Sequence, residues 1–121
     1  MLNQERIKGL SHIAIVVPSL EGLDKWLALF NQETEKYFSE EQGVKALVIK
    51  TGEFDIEFLE PIDDKSSVNT FLTKNPKGGI HHICFFVDNL QDTLLSIKDI
   101  GIRSITRKEI KGLIHNTPVA F

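Results

Sequence analysis

Short apolar runs recur along this chain, and one of them occurs twice. The segment IHHICFFVDNL begins at Ile80, and LSHIAIVVPSL begins seventy residues earlier, at Leu10. In both segments a histidine leads into an apolar run, which ends before a helix-capping residue and a leucine. Runs of this length that are rich in β-branched or aromatic residues indicate buried strands, and a capping residue indicates that a helix follows.

The first sixty residues predict the order β-α-β-β-β. The run HIAIVV (12–17) is a strand, after which Ser19 is expected to cap a helix. An apolar stripe at helical spacing follows, formed by Leu20, Leu23, Trp26, Leu27 and Phe30. Alternating apolar and polar residues then predict three more strands, at 34–41, 44–51 and 54–61.

A helix at about 64–75 is expected to join this module to a second one. Either Ser66 or Ser67 could cap it, and the glycine pair at 78–79 follows its end. The pattern then restarts with a strand at 81–87, an Asp-Asn cap, an apolar helical stripe and a stop at Gly101. Two further strands are expected, at 102–110 and 117–121.

An offset of seventy residues aligns the two modules. It places His82 on His12, Val87 on Val17, Asn89 on Ser19 and Leu90 on Leu20. A repeat of this length indicates two copies of one unit, neither of which can bury its apolar face alone. We therefore expect one α+β domain over residues 1–121, with paired βαβββ modules at about 8–61 and 80–121. They would form one cup-shaped mixed sheet, with the two histidines at matching positions in its hollow.

The second module has one strand fewer than the first. The first module continues into the strand that contains IEFLEP, whereas the second reaches Phe121 in the apolar segment TPVAF. By the duplication, a last strand of about 5–6 residues would follow. Either this strand is missing from a shortened chain, or something else covers the sheet edge. An exposed edge predicts dimerisation or poor solubility.

Charge and composition narrow the class of protein. The formal net charge is −3, and no basic stripe with interleaved aromatic residues occurs, so we expect no nucleic-acid partner. Apolar runs stay well below the ~20 residues that span a bilayer, so we expect no membrane segment. The single Cys84 excludes an internal disulfide and indicates a reducing compartment, such as the cytoplasm or an organelle matrix.

His12, Glu57 and His82 are the candidate metal ligands. Two neutral imidazoles and a carboxylate form a mixed nitrogen and oxygen set that suits divalent first-row metals. Strand alternation places Glu57 on the face opposite to Ile56 and Phe58, where it could meet both histidines. The alternative is that all three are surface residues of the sheet with ordinary hydrogen bonds.

Other polar residues are expected to have plainer roles. His81 should point away from His82 and be structural or support it, and Cys84 should be a small buried filler. Glu60 is expected at the surface. Lys74 and Lys77 flank a glycine-containing loop, where they could meet the phosphates of a large anionic ligand or lie in solvent. His115 is expected in a solvated loop.

Five segments of the chain resemble the methylmalonyl-CoA epimerase family. These are LSHIAIVVPSL, EQGVKALVI, FDIEFLEPIDDKSSVNTFL, GGIHHICFFVDNL and IGIRSI, and the resemblance runs in register from about Ile7 to Phe121. This family is part of the vicinal-oxygen-chelate superfamily, together with glyoxalase I and the bleomycin-resistance proteins. The segment LEP, followed by an acidic, serine-containing helix and then HHI, resembles the epimerase branch more than the glyoxalases.

The resemblance implies a metal centre and a fold of paired modules, usually in a dimer. Its metal ligands fall on His12, Glu57 and His82, and the metal would be cobalt, manganese, magnesium, nickel or zinc. The family's fourth ligand is a glutamate in a segment resembling GGVLVELE, which follows the counterpart of PVAF, and this sequence ends before that segment. Because that glutamate is also implicated in proton transfer, the catalytic base and the substrate-binding residues stay unassigned.

The function implied by the resemblance is the interconversion of the 2-epimers of methylmalonyl-CoA through a metal-stabilised enolate. The partner would be a small acyl-CoA substrate, and the protein would be a cytoplasmic homodimer, or a mitochondrial-matrix one in a eukaryote. Two alternatives stay open. One is a lyase of the glyoxalase I kind, and the other is a shortened, non-catalytic member that binds a ligand or dimerises.

Overall fold

The computed structural model describes residues 7–30, 32–105, 110–111 and 118–121. Within these residues it contains seven strands and three helices. Their order is β1 (Ile7–Val16), α1 (Leu23–Ala28), β2 (Thr34–Ser39), β3 (Val44–Lys50), β4 (Asp55–Pro61), α2 (Ser67–Lys74), β5 (Gly79–Val87), α3 (Leu90–Asp99), β6 (Ile110–Lys111) and β7 (Pro118–Val119). None of the helices in this part of the chain is both long and apolar enough to cross a membrane.

Five strands form one sheet in the order β2-β3-β4-β1-β5. The β1–β4 pair is parallel, whereas β2–β3 and β3–β4 are antiparallel, so the sheet is mixed. The strands β6 and β7 form a separate antiparallel pair. The predicted α+β class with a mixed sheet is confirmed, and β5 from the second module lies beside β1 from the first.

The chain divides into two compact units. One unit is Ser11–Cys84, and the other combines Met1–Leu10 with Phe85–Phe121. The first unit contains α1, the strands β2 to β4 and α2 in full. Whether both units form the single domain expected from the sequence stays a prediction.

One part of the core of the 11–84 unit lies on the face of β3 and β4 that packs against α1. Leu27 from α1 forms a buried cluster with Leu47 and Ile49. Partly buried residues extend this cluster, and they are Leu20, Leu23, Ile56 and Phe58. Because side chains alternate along a strand, this packing leaves Glu57 on the opposite face, as the sequence predicted.

The start of α1 differs from the prediction. Ser19 does not cap this helix, which begins at Leu23 after an N-cap at Gly22 with φ 83°. The Ser19 hydroxyl instead accepts a hydrogen bond from the Glu21 backbone N–H, at 3.1 Å. The left-handed backbone at Gly22 cannot be part of a right-handed helix, so the helix begins one residue later. The predicted apolar stripe is only partly buried, since Trp26 is 54% exposed.

The connecting helix α2 agrees with the prediction and resolves which serine caps it. The Ser66 hydroxyl accepts a hydrogen bond from the Val68 backbone N–H, at 3.2 Å, and Val68 is buried. After the helix, the backbone at Gly78 passes against Val16, with φ 86°. A Cβ atom at Gly78 would lie 2.2 Å from the Val16 carbonyl oxygen, so only glycine fits at the entrance to β5.

The second unit contains a helix that is capped as predicted. The Asn89 side chain accepts a hydrogen bond from the Asp92 backbone N–H, at 3.0 Å, at the start of α3. The strand predicted at 102–110 is wrong for residues 102–105, which are irregular. There Ile105 donates its backbone N–H, and Ser104 its hydroxyl, to the Phe121 carbonyl, so isolated contacts replace a strand ladder. Residues 106–109 and 112–117, with His115 among them, lie outside the described residues.

Candidate metal centre

Strands β1 and β4 bring two of the predicted ligands to one face of the sheet. In their parallel register His12 is the partner of Asp55, and Ala14 is the partner of Glu57. Paired residues point to the same side, so His12, Ala14 and Glu57 share the face opposite to the α1 cluster. Because Ala14 ends at its methyl group, the neighbouring Glu57 carboxylate has room to approach the His12 ring.

The three predicted ligands converge. The His12 Nε2 atom lies 3.2 Å from His82 Nε2 and 3.8 Å from Glu57 Oε2. One ligand atom from each of the three residues lies within 4.8 Å of the other two. Bonds from histidine and carboxylate to a metal are about 2.0–2.2 Å long, which places the ligand atoms of one ion roughly 3–4 Å apart. The donor set therefore fits a small divalent cation in both chemistry and spacing.

The other ring nitrogen of each histidine is also engaged. The His12 Nδ1 atom lies 3.0 Å from the Ser11 hydroxyl, and the His82 Nδ1 atom lies 2.8 Å from His81 Nδ1. Metal-binding histidines ordinarily use their second nitrogen for such a hydrogen bond, which fixes the ring orientation. The sequence reasoning missed Ser11, although its place directly before His12 was visible.

Burial controls the charge of the Glu57 carboxyl. Its residue is only 3% exposed. Removal from water raises the pKa of Glu57 to about 7, and the nearby Asp55 carboxylate contributes to this increase. Asp55 is itself buried and was also missed, although its position two residues before Glu57 placed it on the same face. A buried carboxyl that is costly to ionise alone would be stabilised as the anion by a bound cation.

His81 and His82 favour the neutral form, which a histidine needs in order to bind a metal. Burial lowers the pKa of His82 to about 4, with smaller contributions from the His12 and His81 rings. Burial also lowers the pKa of His81. Neutral imidazole has a free lone pair on one nitrogen, so these shifts keep His82 available as a ligand near pH 7.

The remaining candidates lie outside the three-residue group. The His81 ring makes an edge-on contact with Phe71, with ring centroids 5.3 Å apart, and supports His82 through Nδ1. Burial raises the pKa of the Cys84 thiol, so the thiol form is favoured over the thiolate. The Glu60 carboxylate accepts a hydrogen bond from the Leu20 backbone N–H, at 3.0 Å. Lys74 and Lys77 are both exposed, which suits either phosphate binding or a plain surface role.

Comparison with known proteins identifies the superfamily. The sequence model of the Glyoxalase/Bleomycin resistance protein/Dioxygenase superfamily matches residues 11–121. Among curated relatives, the mitochondrial methylmalonyl-CoA epimerase of Homo sapiens is 37% identical over 114 residues, which cover 93% of this chain and 64% of the human protein. The ethylmalonyl-CoA/methylmalonyl-CoA epimerase of Cereibacter sphaeroides is 35% identical over 117 residues, which cover 95% of this chain and 87% of that protein.

Solved structures agree with this assignment. A methylmalonyl-CoA epimerase in complex with methylmalonyl-CoA and NH4+ matches with a TM-score of 0.85 and 26% identity. The match covers 96% of this chain and 85% of that one. The chain thus spans just under two thirds of the human relative's length and most of the bacterial relative's length. By its sequence and its fold, the chain belongs to the methylmalonyl-CoA epimerase family of the Glyoxalase/Bleomycin resistance protein/Dioxygenase superfamily.

Proposed function

We propose that this protein interconverts the 2-epimers of methylmalonyl-CoA with the help of one divalent metal ion. The observation that carries the proposal is the convergence of His12, Glu57 and His82 on one face of the sheet. Support comes from relatives that are named methylmalonyl-CoA epimerases and from a similar structure that contains methylmalonyl-CoA. The small-molecule partner is therefore an acyl-CoA.

The reaction explains why such a ligand set is useful. Epimerisation removes the proton on the carbon next to the thioester carbonyl and returns a proton to the other face. A divalent cation supplies positive charge that stabilises the negative charge developing on the carbonyl oxygen. His12 and His82 would hold the ion through Nε2, and Glu57 through its carboxylate. Because Glu57 is assigned to the metal, the base is a different group.

The mixed donor set suits several ions. Imidazole and carboxylate ligands are compatible with cobalt, manganese, nickel, zinc and magnesium, and affinity for a given site generally rises across the first row to copper. We therefore propose one of these five ions as the cofactor. Competition between them, measured on metal-stripped protein, would establish their order.

Metal binding is testable without any assay of activity. Metal-stripped protein titrated with Co²⁺ should bind one ion per chain, as measured by calorimetry and by visible absorption. Glu57→Ala and His82→Ala should weaken binding at least about tenfold, since each removes one ligand. Glu60→Ala is the matched control, because it removes a carboxylate from the same strand on the opposite face. Equal affinity in the wild type and in Glu57→Ala would refute the centre.

Activity needs a separate experiment. Cobalt-loaded protein and methylmalonyl-CoA in D₂O should exchange the hydrogen on the 2-carbon, and the two epimers should equilibrate. The protein-free reaction corrects for spontaneous exchange, and His12→Ala serves as the inactive control. If the protein binds metal but produces no exchange above the protein-free rate, the metal centre stands and the epimerase assignment is discarded.

The same preparation separates the alternatives. A glyoxalase-like lyase would consume the hemithioacetal of glutathione and methylglyoxal, whereas the epimerase would leave it unchanged. A non-catalytic member would act on neither substrate. The relatives favour the epimerase, since both curated relatives described above carry this activity in their names.

We also propose that the protein is a homodimer that functions in the cytoplasm, or in the mitochondrial matrix of a eukaryote. Among the described strands β5 is the last in the sheet order, and it has exposed apolar side chains at Ile80, Ile83, Phe85 and Phe86. Exposed apolar side chains that lie together on one strand favour association with a second copy. Sedimentation over a range of protein concentrations tests this proposal, and a monomer at all concentrations would contradict it.

A further inference from the structure

We propose that His81 is a positioning residue, which holds the His82 ring in the tautomer whose Nε2 lone pair points at His12 and Glu57. This inference rests on the proposed metal centre. It assigns to His81 a hydrogen bond to His82 that sets the metal affinity, in addition to its packing against Phe71. Three observations support it: the distance between the two Nδ1 atoms, the packing of His81 and the sequence repeat.

Proton counting determines the direction of the hydrogen bond. The Nδ1 atoms of His81 and His82 lie 2.8 Å apart, so a single proton can be shared between them when both rings are neutral. A metal-binding Nε2 carries no proton, and a neutral His82 then carries its proton on Nδ1. His82 therefore donates and His81 accepts. In consequence His81 carries its own proton on Nε2.

The His81 ring is held where it can accept this bond. Neighbouring residues on a strand normally point to opposite faces, yet these two rings touch, with centroids 5.1 Å apart. The two rings therefore turn towards each other instead of lying on opposite faces of β5. Phe71 from α2 packs edge-on against His81 and limits the rotation of its ring.

The sequence repeat provides independent support. The offset of seventy residues that aligns His12 with His82 also aligns Ser11 with His81. In each copy the residue before the ligand contacts the ligand's Nδ1 atom, at 3.0 Å from Ser11 and at 2.8 Å from His81. The two copies therefore share the position of the supporting group, although one uses a hydroxyl and the other a second imidazole.

Two substitutions at His81 separate hydrogen bonding from packing. In His81→Asn the amide oxygen replaces the Nδ1 acceptor, whereas His81→Leu fills a similar volume with no acceptor. Loss of a supporting partner typically weakens metal binding about 10- to 100-fold, so we expect this for His81→Leu and a change within about threefold for His81→Asn. Phe71→Leu keeps the acceptor and loses the ring contact, so it should weaken Co²⁺ binding less than His81→Leu does.

The tautomer of His82 gives a second measurement that needs no metal. Long-range ¹H–¹⁵N correlation spectra of metal-free protein at about pH 8 should show His82 protonated on Nδ1 in the wild type and in His81→Asn. In His81→Leu the proton should move to Nε2 in a substantial fraction of molecules. Folding of each variant is checked by circular dichroism before either measurement.

The outcomes are distinguishable. If the wild type binds no metal, the proposed centre fails, and the tautomer spectra still decide whether His81 controls His82. If the wild type binds metal and His81→Leu binds it equally well, His81 has no positioning role. If His81→Asn loses as much affinity as His81→Leu, the acceptor is not what matters, and the inference is overturned.

Discussion

The two copies of the repeated strand have similar sequences and very different surroundings. In β1, Ala14 and Val16 are completely buried, whereas in β5, Phe85 and Phe86 are 50% and 40% exposed. Among the described strands, β1 has a neighbour on each side, whereas β5 is the last in the sheet order. An apolar run therefore identifies a strand, while the neighbours of that strand decide its burial.

The helices that follow the two strands differ in the same way. Asn89 caps α3, but its counterpart Ser19 lies in a turn, and α1 begins only at Leu23. The position that aligns with Gly22 in the second copy is Asp92, which has a helical backbone and donates its N–H to the cap. One glycine thus moves a helix start by several residues, without changing the order of the elements.

The largest effect is expected at Gly78, where the chain enters the second copy against the end of the first. Gly78→Ala would place a Cβ 2.2 Å from the Val16 carbonyl oxygen, in a backbone conformation with φ 86°. We expect a loss of about 3 kcal/mol or more in the free energy of unfolding, because strain and overlap add. Urea denaturation of both proteins measures this loss.

A control variant separates the two causes of the loss expected for Gly78→Ala, which are backbone strain and overlap of the new Cβ with the Val16 carbonyl oxygen. Gly52 has φ 97°, and a Cβ added there would have no atom within 4 Å, so Gly52→Ala has the backbone strain alone. This control should lose about 1 kcal/mol. Equal losses at both positions would show that a Cβ at Gly78 does not overlap the Val16 carbonyl.

Because these residues of β1 are more buried than those of β5, removing a few side-chain atoms from β1 should destabilise the fold more than removing many from β5. Val16→Ala should lower the free energy of unfolding by about 2 kcal/mol, since it leaves a cavity in a closed core. Phe86→Ala at the aligned position should lower it by about 1 kcal/mol, since its side chain is already partly in solvent. Thermal or urea unfolding compares the two variants directly.

Measuring both variants at several protein concentrations tests whether a second copy covers β5. If a second copy covers β5, the Phe86→Ala effect should grow as the concentration rises, because dimerisation then contributes to stability. The Val16→Ala effect should not depend on concentration. A Phe86→Ala loss that exceeds the Val16→Ala loss in dilute, monomeric protein would contradict the role given to burial.

A substitution of Glu57 tests the candidate metal centre, to which each copy of the repeat contributes one histidine. Its pKa is raised from 4.5 to about 7, so between these values the folded state binds more protons than the unfolded state. The contribution of Glu57 to stability therefore falls as pH rises through this window, and the charged form destabilises metal-free protein above it. Glu57→Gln should raise the free energy of unfolding by about 1–2 kcal/mol at pH 8 and change it little at pH 5.

A competing titration at His82 cancels in this comparison. His82 has its pKa lowered from 6.5 to about 4, so its contribution to stability rises with pH between those values and opposes that of Glu57. Both proteins retain His82, and the difference between them isolates Glu57. Denaturation with a chelator present gives the values. An identical wild-type and Glu57→Gln difference at pH 5 and pH 8 would show that Glu57 titrates normally.

The features that could be predicted from the sequence are those that depend on local patterns of residues. Strand alternation placed Glu57 opposite Ile56 and Phe58, and the repeat paired His12 with His82, so the three residues that converge in the structure were proposed as ligands from the sequence alone. The β2–β4 hairpins and α2 followed from turn residues and from a serine cap. These features follow from residues that are adjacent, or from periodicities that a sequence displays directly.

Features that depend on three-dimensional neighbours were not predicted. The exposure of Phe85 and Phe86 depends on what packs against β5, and the contact of His81 with His82 depends on two rings turning towards each other. Residues 102–105 were predicted as a strand from their apolar content, but their contacts run to the Phe121 carbonyl instead. Whether such a segment forms a strand depends on which other strand it pairs with, and a single sequence does not identify that partner.

The smallest effect is expected at the two capping positions. Asn89→Ala should lower the free energy of unfolding by about 1 kcal/mol, because it leaves a helix N–H of α3 without its acceptor. Ser19→Ala should cost only about 0.3 kcal/mol or less, because the exposed turn N–H that it releases can bond to water. Urea denaturation measures both, and amide exchange at Asp92 and Glu21 locates the effect. If the Ser19 variant lost as much stability as the Asn89 variant and exchange rose throughout α1, Ser19 would act as a helix cap after all, and the two copies would be more alike than their backbones indicate.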